Sequence, residues 1–176
     1  MSKKKCFLSP LFTCKNSPLV GSTSCCTSAW IIWATLGAVA IIDRLLKIWA
    51  IHSCQESVSL TSWVQCDLVI NRGVSFGLFH ADNPWIFGVV TVFVMSLTSM
   101  VLSHAIAQAR KGHSYVGELC IIVGSLSNLL DRFIYDGVID FIVVKTPLGF
   151  WPAYNIADAL IVLGVVLLIV INYRES

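Results

Sequence analysis

Charge is scarce in this chain. Only 12% of its 176 residues are Asp, Glu, Lys or Arg, while 56% are hydrophobic. A soluble domain carries about 25% charged residues, so the deficit argues against a water-exposed surface of ordinary composition. The mean hydropathy of +0.79 agrees. About 20 apolar residues cross a bilayer, so the length accommodates several spans in one compact bundle. The net charge of +2 is small and scattered, which argues against a nucleic-acid partner.

Metal motifs are also missing. His52, His80, His104 and His113 show no HExxH spacing. The seven cysteines form no CxxC pair, so neither a metal nor another cofactor is expected. The cysteines read as small apolar side chains. Cys54 and Cys66 share one inter-span segment and can bridge if it faces an oxidising compartment. There is no internal repeat of the kind that marks many transporters. The first 28 residues contain no acid but carry Lys3, Lys4, Lys5 and Lys15. They read as a disordered, basic, cytoplasmic tail (1–28) ahead of a membrane domain (29–176). Pro10 and Pro18 interrupt any signal-peptide core there.

Four apolar segments are present, at 29–51, 84–107, 117–135 and 156–173. With both termini inside, seven cations (Lys3, Lys4, Lys5, Lys15, Arg110, Lys111, Arg174) fall in the cytoplasm, against Arg72 and Lys145 outside. The outer segments hold strand-formers, Trp63 to Ile70 and Val138 to Val144, with a turn at Asn71-Arg72-Gly73. Paired, they make a small sheet over the membrane surface.

Against this apolar background a few polar residues stand out. Asp140 and Asp158 fall at the outer ends of the third and fourth spans. Ionisable groups at a membrane segment are costly and usually serve chemistry or transport. Two carboxylates brought together can share a proton and activate water. Each also has a plainer reading. Asp158 sits at the third position of a helix capped by Asn155, where an acid favours the helix dipole. Asp140 can be a solvated acid on the polar face of a strand. Asn128 and Asp131 share a helix face, and Asp131 reads as a support paired with its neighbour Arg132, which can alternatively snorkel. Asp43 and Lys47 stand four apart, as an intrahelical pair, with Arg44 pointing elsewhere. Ser75 as a nucleophile would need Lys145, the one outer lysine. Gly73 and Gly77 belong to a loop rather than to a helix-dimer motif.

These residues occur in four blocks: DRLLK at 43–47, NRGVSFG at 71–77, GSLSNLLDR at 124–132 continuing to GVIDF at 137–141, and WPAYNIAD at 151–158. In content and order they resemble the lipoprotein signal peptidases, the signal peptidase II family, over residues 30–172. The resemblance implies an all-α membrane protein, a four-transmembrane-helix bundle with a small extracytoplasmic β-cradle. It implies an aspartic endopeptidase of the bacterial inner membrane, its dyad Asp140 and Asp158 at the extracytoplasmic face. Asp43, Asn71, Asn128, Asp131, Arg132 and Asn155 fall on the family's supporting positions. The implied substrates are diacylglyceryl-modified prolipoproteins, cut before the lipidated cysteine, with membrane lipid as the surroundings and a monomer as the working form. Ser125 and Ser127 stand where the family usually has glycine, Val74 where a small residue is usual, and Leu46 where Ser or Thr is usual. The alternatives are a small proton- or ion-coupled transporter and a non-enzymatic assembly factor.

Overall fold

A computed structural model of the chain describes residues 22–73, 83–147 and 149–175. The basic tail up to residue 21, and Val74, Ser75, Gly77 and His80, lie outside the described residues. Four long helices carry the fold: α1 Ser22–Ser53, α2 Pro84–Lys111, α3 Val116–Tyr135 and α4 Ile156–Glu175. A helix covers each of the four expected apolar segments, with bounds that agree to within a few residues except that α1 begins seven residues before the expected start of the membrane domain.

The helix ends follow local chemistry. Asn83 caps α2 by accepting from the Trp85 amide at 2.9 Å, with Pro84 at the first helical position, where its missing N–H is no loss. Gly112 ends the helix in the left-handed conformation, φ 75°.

Four strands, β1 Val58–Ser59, β2 Val64–Asn71, β3 Val138–Thr146 and β4 Gly149–Phe150, form an antiparallel sheet in the order β1-β2-β3-β4. The expected strand pairing is present. In its register Asn71 faces Val138 and Val69 faces Asp140, with an irregularity between Cys66 and Val69. Cys54, just past α1, and Cys66, in β2, form a disulfide, and both are fully buried. Around this bridge Ala50, Ile139 and Phe141 make a small apolar core joining α1 to the sheet. A second core, including Leu36, Ala105, Leu119, Ile122 and Leu160, lies among the helices.

Among the described residues one helix, α2, is long and apolar enough by composition to cross a membrane, and Ile156–Ile171 of α4 is a shorter apolar stretch. In α1 and α3 the charged residues of the polar blocks interrupt the apolar run.

The tightest helix contact is between α3 and α4, and it depends on glycine. A Cβ on Gly124 would stand 2.5 Å from the Ala157 carbonyl oxygen, and one on Gly164 would stand 2.6 Å from that of Gly117. Backbones can touch only where side chains are this small. The contact sets Asn128, one turn beyond Gly124, beside the first turn of α4. Gly124→Ala is therefore expected to destabilise the protein by about 1–3 kcal/mol through overpacking. Gly37→Ala, where a Cβ meets nothing within 4 Å, should be neutral or slightly stabilising. Thermal unfolding in detergent compares the two; equal stability of the variants would refute the packing argument.

Candidate active site

The start of α4 is built as a reciprocal cap. The Asn155 side-chain oxygen accepts from the Asp158 amide at 2.9 Å, and the Asp158 carboxylate accepts from the Asn155 amide at 3.3 Å. This is the capping-box arrangement, which satisfies two otherwise orphaned N–H groups. The Asn155 side-chain nitrogen is left to point away from the helix. It donates to Asp140 Oδ1 at 2.7 Å and also reaches Asn128 Oδ1 and the Ile139 carbonyl, both at 3.2 Å. A single asparagine thus bonds both aspartates.

Asp140 lies on β3 and is 2% exposed, which removes its reading as a solvated strand acid. The run Val138 to Phe141 is buried throughout: Ile139 and Phe141 pack on the core around Ala50 and the disulfide, and Tyr154 is hydrogen-bonded along the edge of the strand not paired with β2. The second oxygen of Asp140 accepts from Asn71 Nδ2 at 3.0 Å. The Asn71 side-chain oxygen in turn accepts from the Gly73 amide at 2.9 Å, fixing the turn after β2. Burial, and next the negative charge of Asp158, push the Asp140 carboxyl up to about 7; the bonds from Asn71 and Asn155 and the charge of Lys47 oppose the shift.

Asp158 Oδ1 accepts from Asn128 Nδ2 at 2.7 Å. Asn128 is oriented from behind, its oxygen accepting from Lys47 Nζ at 2.9 Å. Lys47 is fully buried. It also reaches Asp43 at 3.0 Å, the expected intrahelical pair, and Asp131 at 2.7 Å. The other oxygen of Asp43 accepts from the Ala157 amide at 3.0 Å, adding a bond from α1 to the first turn of α4.

Two sequence expectations fail here. Asp131 does not pair with Arg132, because adjacent residues on a helix do not face each other. It binds Lys47 and Arg44, the latter at 2.5 Å, and accepts from the Ile139 amide at 3.4 Å. Arg44 is accordingly drawn inward to Asp131 and Ser127 instead of pointing elsewhere. Arg132 is buried too, but it donates to the Gly73 carbonyl, approaches Thr91 Oγ1 at 3.5 Å and lies 5.4 Å over the Phe87 ring. It ties α3 to α2 and to the turn holding Asn71.

All eight sequence-selected residues therefore belong to one connected region. Sequence reasoning missed the reach of Lys47 beyond its own helix, and it missed Ser127, whose hydroxyl donates to Asp43 at 2.6 Å. Lys47 was detectable, since two polar faces on apolar helices must find each other. Ser127 carried no signal beyond standing where glycine is usual.

Two cavities border both aspartates. One, of about 150 Å³, is lined by Asn71, Ser125, Asn128 and Arg132 among others. The second, of about 350 Å³, lies against residues 151–154 and the start of α4. Buried carboxylates carrying amide donors, opening on space for a ligand, suit proton transfer to and from a bound group.

Comparison with known proteins decides the family. The profile of signal peptidase II matches residues 35–174. The chain belongs to the signal peptidase II family. Similar proteins include the lipoprotein signal peptidases of Syntrophomonas wolfei (35% identity over 79% of this chain and 90% of that one) and Clostridium novyi (30% over 77% and 93%). That of Burkholderia mallei is 32% identical over 81% of this chain and 88% of its own. Among solved structures, a bacterial membrane enzyme determined by the in meso method at 2.3 Å shares the fold, with a TM-score of 0.65 and 22% identity over 82% of this chain and 88% of that chain. Membership of the signal peptidase II family makes this a membrane protease of bacterial lipoprotein processing, which removes signal peptides from prolipoproteins. The transporter alternative finds no support among these relatives.

The burial of Lys47 generates a prediction. Lys47→Met leaves Asp43 and Asp131 facing each other without their shared cation. Removing one partner of a buried ion pair costs about 3–5 kcal/mol, so a sharp fall in thermal stability is expected. A variant as stable as the parent would show that the cluster does not hold the helices together.

Proposed function

We propose that this signal peptidase II is an aspartic peptidase in which Asp140 and Asp158 share one proton. The observation that carries the reading is the bridge made by Asn155, which bonds both carboxylates where both border the same cavities. Asp158 acts as the base and takes a proton from water as its oxygen attacks the scissile carbonyl. Asp140, whose carboxyl is raised by burial and by its neighbour's charge, is assigned the proton in this reading and donates to the carbonyl oxygen. In the collapse of the tetrahedral intermediate the proton on Asp158 passes to the leaving amine, the C–N bond breaks and Asp140 recovers its proton. Asn71, Asn128 and Asn155 hold the carboxylates in place, Lys47 and Asp43 hold Asn128 and the start of α4, and Asp131 and Arg132 hold the surrounding elements.

The substrate in this reading is a prolipoprotein whose cysteine already carries diacylglycerol, cut just before that cysteine. The protein works as a monomer in membrane lipid. All four helices cross the membrane, with both termini cytoplasmic and the site at the outer face. Support comes from the charged residues that break the apolar runs of α1 and α3: Asp43, Lys47, Asp131 and Arg132 are all buried within the bundle, so they do not oppose insertion as lipid-facing charges would.

Cleavage of a purified diacylglyceryl precursor peptide tests the mechanism. Asp140→Asn and Asp158→Asn should each abolish turnover while preserving insertion and folding, because the amide keeps the size but can neither accept nor shuttle the proton. The double variant should be little worse than either single one. Near-normal cleavage by either single variant would sink the dyad. The parent's rate should fall as pH rises through about 7, where Asp140 loses its proton. Stability should change in the same direction. The native state holds this proton between the ordinary carboxylate range and about 7 while the unfolded chain does not, so stability declines with rising pH across that window. A rate that climbs steadily to pH 9 would contradict a mechanism in which the pair must hold one proton.

Orientation is tested separately. Reporter fusions at Lys111 and at Lys145 should report opposite sides of the membrane. Finding both on one side would overturn the four-span arrangement.

A further inference from the structure

A serine or threonine inside a helix commonly satisfies its hydroxyl by donating to the carbonyl four residues back. Thr35, Thr91, Ser96, Thr98, Ser99 and Ser103 all do so. Ser127 is bonded differently. Its hydroxyl crosses from α3 to α1, donates to Asp43 Oδ2 at 2.6 Å and accepts from Arg44 Nη2 at 3.3 Å.

This bond is made at the edge of a groove. A cavity of about 440 Å³ lies between α1 and α3, with Ile41, Leu45, Leu126 and Leu130 on its walls and Arg44 and Ser127 as its polar members. Those four apolar side chains are exposed. In the four-span arrangement the groove faces hydrocarbon, which offers no hydrogen bond to replace the one from Ser127. Ser127 lines neither of the cavities at the dyad.

What the hydroxyl fixes is the plane of a buried carboxylate. Asp43 divides its oxygens between two tasks. Oδ2 meets Ser127 and, at 3.0 Å, Lys47, whereas Oδ1 accepts from the Ala157 amide at 3.0 Å. Lys47 does not by itself select which oxygen faces it, because an ammonium is a compact point charge, and this one also serves Asn128 and Asp131. The directional bond from Ser127 makes the selection. It leaves Oδ1 aimed at the amide of the residue before Asp158. Ala157 and Asp158 share the first turn of α4, so the place of the Asp158 carboxylate follows from the orientation of Asp43.

We infer that Ser127 is a positioning residue for the reaction: through Asp43 it holds the first turn of α4, and with it Asp158, in register with Asp140. The inference rests on the reading of Asp140 and Asp158 as the dyad. Since Ser127 stands apart from the space open to substrate, its effect belongs to the chemical step and not to binding.

The test uses the full-length protein and a diacylglyceryl precursor peptide, with rates expressed per folded molecule at a temperature well below unfolding. Ser127→Ala removes the hydroxyl and little else. Its kcat should fall about threefold to tenfold, less than the roughly 100-fold that a 1 Å misplacement can cost, while KM stays within about twofold of the parent. Ser127→Thr keeps the hydroxyl and has room for its methyl in the groove between α1 and α3, so it should restore kcat to within about twofold. A hydroxyl that merely supports the fold would lower the unfolding temperature and leave kcat per folded molecule at the parent's value. That outcome overturns the inference, as does a loss carried by KM, or a threonine variant as slow as the alanine one. Retained cleavage by Asp158→Asn would instead sink the dyad reading itself, so the two failures are distinct.

Discussion

A lysine ammonium taken wholly out of water must be neutralised and fully hydrogen-bonded, or the fold does not form. Lys47 meets that demand with three partners, Asp43 on its own helix and Asn128 and Asp131 on α3. The demand propagates. Asp43 and Asp131 bring two negative charges, so a second cation is drawn in, and Arg44 supplies it. The remaining oxygen of Asp43 is satisfied by an amide of α4, and Asp131 also reaches an amide of β3. One buried charge therefore fixes the relative positions of α1, α3, α4 and the sheet, the elements that deliver Asp140 and Asp158.

The start of α4 has two uses at once. A helix that begins at Ile156 needs its first N–H groups satisfied, and Asn155 with Asp158 does this reciprocally. The structural reading of Asn155 and Asp158 as cap residues and their reading as site residues are thus not rivals. The cap leaves the Asn155 amide nitrogen pointing at Asp140, and one Asp158 oxygen facing Asn128. Glycine makes the second bond reachable, because the α3 and α4 backbones touch at Gly124 and Ala157, one turn from Asn128 and next to Asp158.

Much of this was legible in the sequence, for definable reasons. Apolar runs and their interruptions mark the four helices, and the strand-forming residues of Trp63 to Ile70 and Val138 to Val144, with the turn at Asn71-Arg72-Gly73, mark the sheet. Asp43 with Lys47, and Asn128 with Asp131, could be placed on common faces by spacing alone. What spacing cannot supply is the partner across helices. Asp131 was matched to its chain neighbour Arg132, whereas a helix turns adjacent side chains about 100° apart and sends the two into different elements. Nor could the burial of Asp140 be read locally. A strand residue shows its alternation but not what surrounds it, and here Asp140 is enclosed by Asn71 of β2, Asn155 and the start of α4. The bridge between Cys54 and Cys66 was conditional on compartment in the sequence, and is formed in the structure.

The aspartates come from unlike elements, and that raises a problem of rigidity. A carboxylate on a helix and one on a strand keep their distance only if the joint between bundle and sheet does not move. The sheet would be weak on its own, since β1 and β4 are two residues each and an isolated strand pair such as β2–β3 is marginally stable. Three attachments reinforce it from different directions. The disulfide holds β2 to the end of α1. The tight turn from Tyr135 to Val138 holds β3 to α3, where Asp136 takes the left-handed conformation and a Cβ on Gly137 would strike Ile70. Tyr154 pairs with Ile142 and so holds β3 to the residues that precede α4. Since β2 and β3 are themselves paired along their length, displacing Asp140 from Asp158 requires breaking more than one of these attachments together. The sheet is small because its task is to carry one carboxylate and the asparagine that orients it, and the attachments supply the rigidity that its size cannot.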